Sequence, residues 1–249
     1  NYGYCEHISY TYRRGDGAMA DYVVVPEVNV VKIPDSLSME QAATIEPSTV
    51  ALHAFKVSRF TAGRSVAVIG CGIIGLYTVQ WARILGASRV TAIGRGQSGL
   101  DAALRLGADR AVSTSGLSGE ELRGLLGTGF DYVFECSGAD ETIHLAVEAA
   151  AKKGTVCLIG TPKRPLTFTV LQWEAINRKE CWVTGSWMSY SAPFPGEEWT
   201  ESVRCMSSGA LRSDPGMVYG VYPMAQAEEA FKAIRSGAAK GRVLLKNEP

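Results

Sequence analysis

The spacing of hydrophobic positions changes near residue 65, and that change organises the chain. Before it, "GDGAMADYVVVPEVNVVKI" (15–33) predicts a strand over 21–25 and another over 28–33, separated by Pro26. Pro34 and "DSLSMEQAAT" then open a helical stretch with Ser38 in position to cap it. The next stretch, "ATIEPSTVALHAF" (43–55), is an apolar helical run interrupted by one carboxylate, Glu46. Past residue 65, short apolar runs alternate with helical periodicity. "SVAVIG" (65–70), "RVTAIG" (89–94), "DRAV", "DYVFECSG" (131–138), "GTVCLIG" (154–160) and "CWVTGSW" (181–187) read as strands. Between them, "IGLYTVQWARILG" (74–86), "GLDAALRLG" (99–107) and "ETIHLAVEAAAKK", the last capped by Asp140, read as helices.

Strands alternating with helices at this spacing imply parallel pairing through right-handed crossovers, hence an α/β doubly wound sheet of the Rossmann type. After about residue 190 the rhythm breaks. A turn and helix over "PFPGEEWTESVRCMSSG", an amphipathic helix over "AQAEEAFKAIRSG" and a strand at "RVLL" (242–245) close the chain.

The first strand runs directly into "GCGIIG", with Gly70, Gly72 and Gly75 spaced G-x-G-x-x-G ahead of a helix. In that context each glycine has a role: a tight turn, close approach of a pyrophosphate, and packing of helix on sheet. The first N–H groups of the helix, around Ile73 and Ile74, face the same place and suit phosphate oxygens. A second strand in this arrangement ordinarily ends in an acid that binds the ribose hydroxyls. Here Gly94 and Arg95 stand there instead, which favours a 2′-phosphate and so NADP over NAD; an arginine stacked on adenine or turned to solvent is the alternative. Ligands of open parallel sheets lie beyond the strands' carboxyl ends, so Ser137 and Gly160 are expected to border the nicotinamide.

Composition narrows the function classes. The 249 residues carry 25 Lys plus Arg and 25 Asp plus Glu, a balance that argues against a nucleic-acid surface or a polybasic membrane patch. The longest apolar stretch, around 66–77, is too short for a membrane span and is broken by glycines. The six cysteines include no Cys-x-x-Cys pair, so a reducing, cytoplasmic setting is expected.

The stretches "DGAMADYVVVP", "EPSTVALHAF", "VIGCGIIGL", "FECSG", "LIGTP" and "GRVLL" together resemble the zinc-dependent alcohol and polyol dehydrogenases of the medium-chain dehydrogenase/reductase superfamily. "RKECWVTGSWMSYSAPFPGEEW" (178–199) is similar to its galactitol-1-phosphate dehydrogenase branch. The resemblance implies hydride transfer between NADP or NAD and a small polyol or polyol phosphate, with a catalytic zinc. It implies a remnant of a GroES-like, β-rich catalytic domain over 1–48, the Rossmann domain over 49–190, and a return to the catalytic domain over 191–249. It further implies a homo-oligomer, dimer or tetramer, with "GSWMSYS" as a candidate subunit contact.

Glu46 then corresponds to a carboxylate at the zinc; complementing its helix dipole is the alternative. The remaining zinc ligands of such enzymes, and a cluster of four structural cysteines, are not matched, so the chain is expected to be a fragment without its first hundred or so residues. Such a chain is expected to bind nucleotide, to hold zinc poorly and to turn over little substrate. Arg242 matches a pyrophosphate-binding basic position, with a solvated side chain as the alternative. Arg13 and Arg14 suit either a substrate phosphate or a surface turn, and His53 and the Cys5-x-His7 pair are read as structural before metal-binding. The rival readings are a zinc-independent quinone or enone reductase and a non-catalytic nucleotide-binding module.

Overall fold

A computed structural model describes Glu6 and residues 17–247. The calls on Cys5, His7, Arg13 and Arg14 lie outside the described residues. The chain divides into two units, and the division falls inside one helix. One unit is Val50–Trp187; the other takes the described residues up to Thr49 together with those from Met188 onward.

In the first unit, β1 (Ser65–Ile69), β2 (Arg89–Gly94), β3 (Arg110–Ser113), β4 (Phe130–Glu135), β5 (Ala150–Leu158) and β6 (Trp182–Gly185) form one six-stranded sheet in the order β3-β2-β1-β4-β5-β6. Every pairing is parallel. This is the doubly wound order, with its reversal between β1 and β4. β1 is central and apolar on both faces: Val66, Ala67, Val68 and Ile69 are all buried. Alternation is absent there because helices cover both sides of a parallel sheet. The crossovers are α3 (Ile73–Ile84), α4 (Gln97–Arg105), α5 (Gly119–Leu126), α6 (Asp140–Ala149) and α7 (Val170–Lys179). Leu126 of α5 and Leu145, Ala146 and Ala149 of α6 pack with Val133 and Val156 of the sheet.

Hydrophobic periodicity left α5 and α7 unread, and their caps show why both form. Ser118 accepts from Glu121 N while Glu121 reaches back to Ser118 N, and Thr169 and Gln172 do the same. These reciprocal capping boxes start helices whose apolar content alone is thin. Asp140 is the first residue of α6 instead of its cap; Ala139 holds the cap position, and Asp140 complements the helix dipole. The other end of α6 is closed by Lys179, whose Nζ donates to Val147 O, Glu148 O and Ala150 O at 2.8–3.0 Å.

The second unit holds α1 (Met39–Ala42), started by a Ser38–Gln41 capping box, and the beginning of α2 (Ile45–Val57). It continues with α8 (Gly196–Ser207), β7 (Val218–Pro223), α9 (Ala227–Arg235) and β8 (Arg242–Lys246), with β7 and β8 paired in parallel. The strands expected over 21–25 and 28–33 do not form. The chain there is irregular, with a 3-10 turn at Glu27–Asn29, and Val24 is 95% exposed. β-branched residues favour extension, but a strand also needs a neighbour for its N–H and C=O groups, and none of the described residues supplies one.

Candidate nucleotide-binding site

The glycine turn follows β1 directly. Gly70 takes φ +97° and donates its N–H to Ile93 O at 2.8 Å, tying the turn to the end of β2. Gly72 is the residue before α3, and a Cβ added to it meets nothing within 4 Å. At Gly75 a Cβ would lie 1.8 Å from Gly70 O, so helix and turn touch through bare backbone. α3 therefore starts close against the sheet, with the N–H groups of Ile73, Ile74 and Gly75 among the first-turn donors that have no partner within their own helix.

The ends of the neighbouring strands close around this turn. A Cβ on Gly94 would meet Cys71 Sγ at 3.3 Å, and one on Gly70 would meet Ser137 Cβ at 3.1 Å. Arg95 is exposed just past β2, and among the described residues no carboxylate pairs with it. The hydroxyls that follow β3 gather beside it: Thr114 N donates to Gly94 O at 2.9 Å and Ser115 Oγ to Arg95 O at 3.2 Å. On the other side of β1, Glu135 ends β4 fully buried. Its Oε1 accepts from Ser137 N at 2.8 Å and Gly138 N at 2.9 Å, while its main-chain oxygen accepts from Ile159 N and Gly160 N. A Cβ on Gly160 would lie 2.1 Å from Gly138 N, so the turns after β4 and β5 are in direct backbone contact.

Sequence reasoning passed over Glu135, although a carboxylate closing the apolar run "DYVFE" was a visible signal. The cysteines at this rim are packing groups. Burial pushes the Cys71 thiol up to about 11 and that of Cys157 to about 12, far from the thiolate a nucleophile needs.

Gly70, Gly72, Ile73, Ile74, Gly75, Gly94, Arg95, Ser137 and Gly160 thus all lie in one unit, at the carboxyl ends of parallel strands, in the turns after them or in the first turn of α3. Glu46 and Arg242 lie in the other. Glu46 sits in the first turn of α2, one residue before Pro47, whose missing N–H costs nothing at a helix start. The Arg242 guanidinium is 3.8 Å from the Glu46 carboxylate. Burial pushes the Glu46 carboxyl above its usual range, and the charge of Arg242 opposes that rise. One turn on, Thr49 Oγ1 donates to Glu46 O and lies 2.6 Å from Ser189 Oγ.

The family described as zinc-binding dehydrogenase matches residues 74–208. Galactitol 1-phosphate 5-dehydrogenase of Escherichia coli K12 is 35% identical over 247 residues, which cover 98% of this chain and 71% of that one. The chain belongs to the zinc-binding dehydrogenase family. Among solved structures, galactitol-1-phosphate dehydrogenase from Escherichia coli superposes with a TM-score of 0.86 at 35% identity, covering 93% of this chain and 67% of that one. A protein from Sinorhizobium meliloti 1021 solved with NADP bound superposes with a TM-score of 0.77 at 30% identity, covering 92% of this chain and 66% of that one.

Zinc-binding dehydrogenases use a nicotinamide dinucleotide and zinc, and the residues of this member meet the two groups differently. The glycine turn fits a dinucleotide: Gly72 leaves the approach to the α3 N-terminus open, and the backbone contact at Gly75 brings unpaired N–H groups up to it. The described residues do not fit zinc. No three His, Cys, Asp or Glu side chains among them converge on one point, and the nearest partner of Glu46 is a guanidinium, itself a cation.

Proposed function

We propose that the chain binds NADP(H) or NAD(H) at the turn after β1 and serves NAD(P)-dependent oxidoreduction of a polyol or polyol phosphate. The observation that carries this reading is the 1.8 Å approach a Gly75 Cβ would make to Gly70 O beside an open Gly72. When bound, the dinucleotide supplies the hydride acceptor or donor. The chain's part is to hold it: N–H groups of Ile73, Ile74 and Gly75 on the phosphates, Gly94 and Arg95 at the adenosine ribose, Ser137 and Gly160 along the nicotinamide side. The relatives' action on galactitol 1-phosphate supports the substrate class.

We read the cofactor as NADP before NAD. Removing the acid at the end of β2 removes repulsion against a 2′-phosphate, and the unpaired Arg95 guanidinium offers it two parallel N–H donors. The partner we infer for the sheet is a second copy of this chain. β6 is the edge strand, with Trp182 54% and Val183 42% exposed; Trp187 and the α7 residues Val170, Leu171 and Trp173 are also exposed. Tryptophan is among the residues enriched at protein interfaces, and three of these six side chains are tryptophans. Among the described residues no helix is long and apolar enough to cross a membrane. Five of the cysteines are free thiols, which supports a reducing, cytoplasmic setting.

Titrating the purified chain with NADPH and NADH tests the reading. Gly72→Asp is the informative variant, because aspartate is a good helix cap and its Cβ has room, so folding is preserved. Its charge, however, would sit where the phosphates bind. The expected outcome is an unchanged melting temperature with at least tenfold weaker binding, and NADPH held more tightly than NADH in the parent but not in Arg95→Ala. A parent chain that binds neither dinucleotide would refute the function.

A further inference from the structure

Glu135 is a buried carboxylate at the open end of the sheet, and nothing in the fold alone requires a charge there. Its neighbours along β4, Val133 and Phe134, are apolar and equally buried. Among the described residues no lysine, arginine or histidine forms an ion pair with it. Its partners are backbone N–H groups: Ser137 N at 2.8 Å and Gly138 N at 2.9 Å on Oε1, with Gly138 N also 3.1 Å from Oε2. Burying an anion is expensive unless its hydrogen bonds are made, and here they are made by one turn. The same residue holds a second turn through its main chain, where Ile159 N at 2.9 Å and Gly160 N at 3.0 Å donate to Glu135 O.

Two glycines clear the space for this arrangement. Gly138 takes φ +71°, and a Cβ on it would lie 2.5 Å from Thr161 O; a Cβ on Gly160 would lie 2.6 Å from Glu135 Oε2. One residue therefore fixes the turn after β4 to the turn after β5, and the first of these also abuts Gly70 of the phosphate-binding turn through Ser137. We propose that Glu135 is a positioning residue: its carboxylate fixes the turn after β4, its main-chain oxygen holds the turn after β5 against it, and together they shape the rim that receives the nicotinamide half of the dinucleotide. The inference rests on the nucleotide-binding reading above and adds to it the group that shapes its far end. Glu135 itself contacts backbone, so its effect is exerted through Ser137, Gly138 and Gly160.

The test separates the two halves of the ligand. Glu135→Gln keeps the shape but places an NH₂ at the Oε2 position, against Gly138 N, and removes the charge that the turn's N–H groups face. With the dinucleotide that binds more tightly to the parent chain, Glu135→Gln is expected to raise Kd at least tenfold. With the corresponding ADP-ribose, which lacks nicotinamide, Kd should stay within twofold. A purely structural role would weaken both alike, and that result, or no change in either, would overturn the assignment. A parent chain that binds dinucleotide and ADP-ribose equally well would overturn it too, leaving the nucleotide site intact. A parent that binds neither ligand removes the site and this proposal together. Should the variant melt too low to titrate, amide hydrogen exchange on the parent decides. Residues 136–138 and 159–161 should exchange more slowly with dinucleotide than with ADP-ribose; equal exchange with both ligands refutes the proposal.

Discussion

At the scale of single residues, one acidic side chain ties the starts of two neighbouring strands together. Asp131 is the second residue of β4 and holds β1 beside it: its Oδ2 accepts from Ser65 N at 2.9 Å and Ser65 Oγ at 2.7 Å, with Arg64 at 3.7 Å. Partial burial by itself raises the carboxyl's pKa, but the Ser65 hydrogen bonds and the Arg64 charge together outweigh it and leave the value lowered. A lowered folded pKa stabilises above the unfolded value of about 3.9 and is lost as pH falls through the folded one. Asp131→Asn should therefore cost about 1 kcal/mol at neutral pH, discounted for the partial exposure of the pair. The gap in melting temperature between parent and variant should close on acidification below pH ~4. A gap independent of pH would mean the charge contributes nothing. Glycine and carboxylate positions differ in how plainly they declare themselves. Gly70, Gly72 and Gly75 were legible because their spacing is set by backbone contacts within one β–α turn. Glu135 was not, because its partners come partly from the turn after β5, more than twenty residues on.

At the scale of elements, the sheet's two edges differ. β3 opens on Arg110 and runs into the Ser113–Thr114–Ser115 hydroxyls. β6 leaves Trp182 and Val183 exposed, with the Arg59 guanidinium stacked 5.2 Å above the Trp182 ring. An unprotected apolar edge invites another strand, and lysine is an effective guard against it. Val183→Lys should convert a dimer to a monomer in light scattering while leaving nucleotide binding unchanged. A parent chain that is monomeric at tens of micromolar would sink the edge-pairing reading. Elements also show where pattern reading fails. α5 and α7 were missed because capping boxes at Ser118 and Thr169, not apolar periodicity, mark their starts. The valines of 21–33 were read as strands because β propensity describes a preference for extension and says nothing of whether a partner strand is present.

At the scale of the whole molecule, the cation beside Glu46 weighs against a metal ion at that carboxylate. Zinc sites need three or four convergent donors, and the described residues offer a single carboxylate facing Arg242 at 3.8 Å. The dialysed chain is expected to retain no stoichiometric zinc, and a chelator should leave its melting temperature unchanged. Polyol-phosphate oxidation by the purified chain should be near background while dinucleotide binding persists. Tight zinc uptake with robust turnover would reverse this conclusion.

By itself, the sequence determined the alternating β–α order, the parallel sheet that follows from it, the glycine turn after β1 and the family. All are recorded locally, in hydrophobic period and glycine spacing, within a few dozen residues. Tertiary structure alone decided which charges meet. Arg242 beside Glu46 and the double hold of Glu135 on two turns join residues far apart in the chain, and no periodicity encodes a contact between such segments.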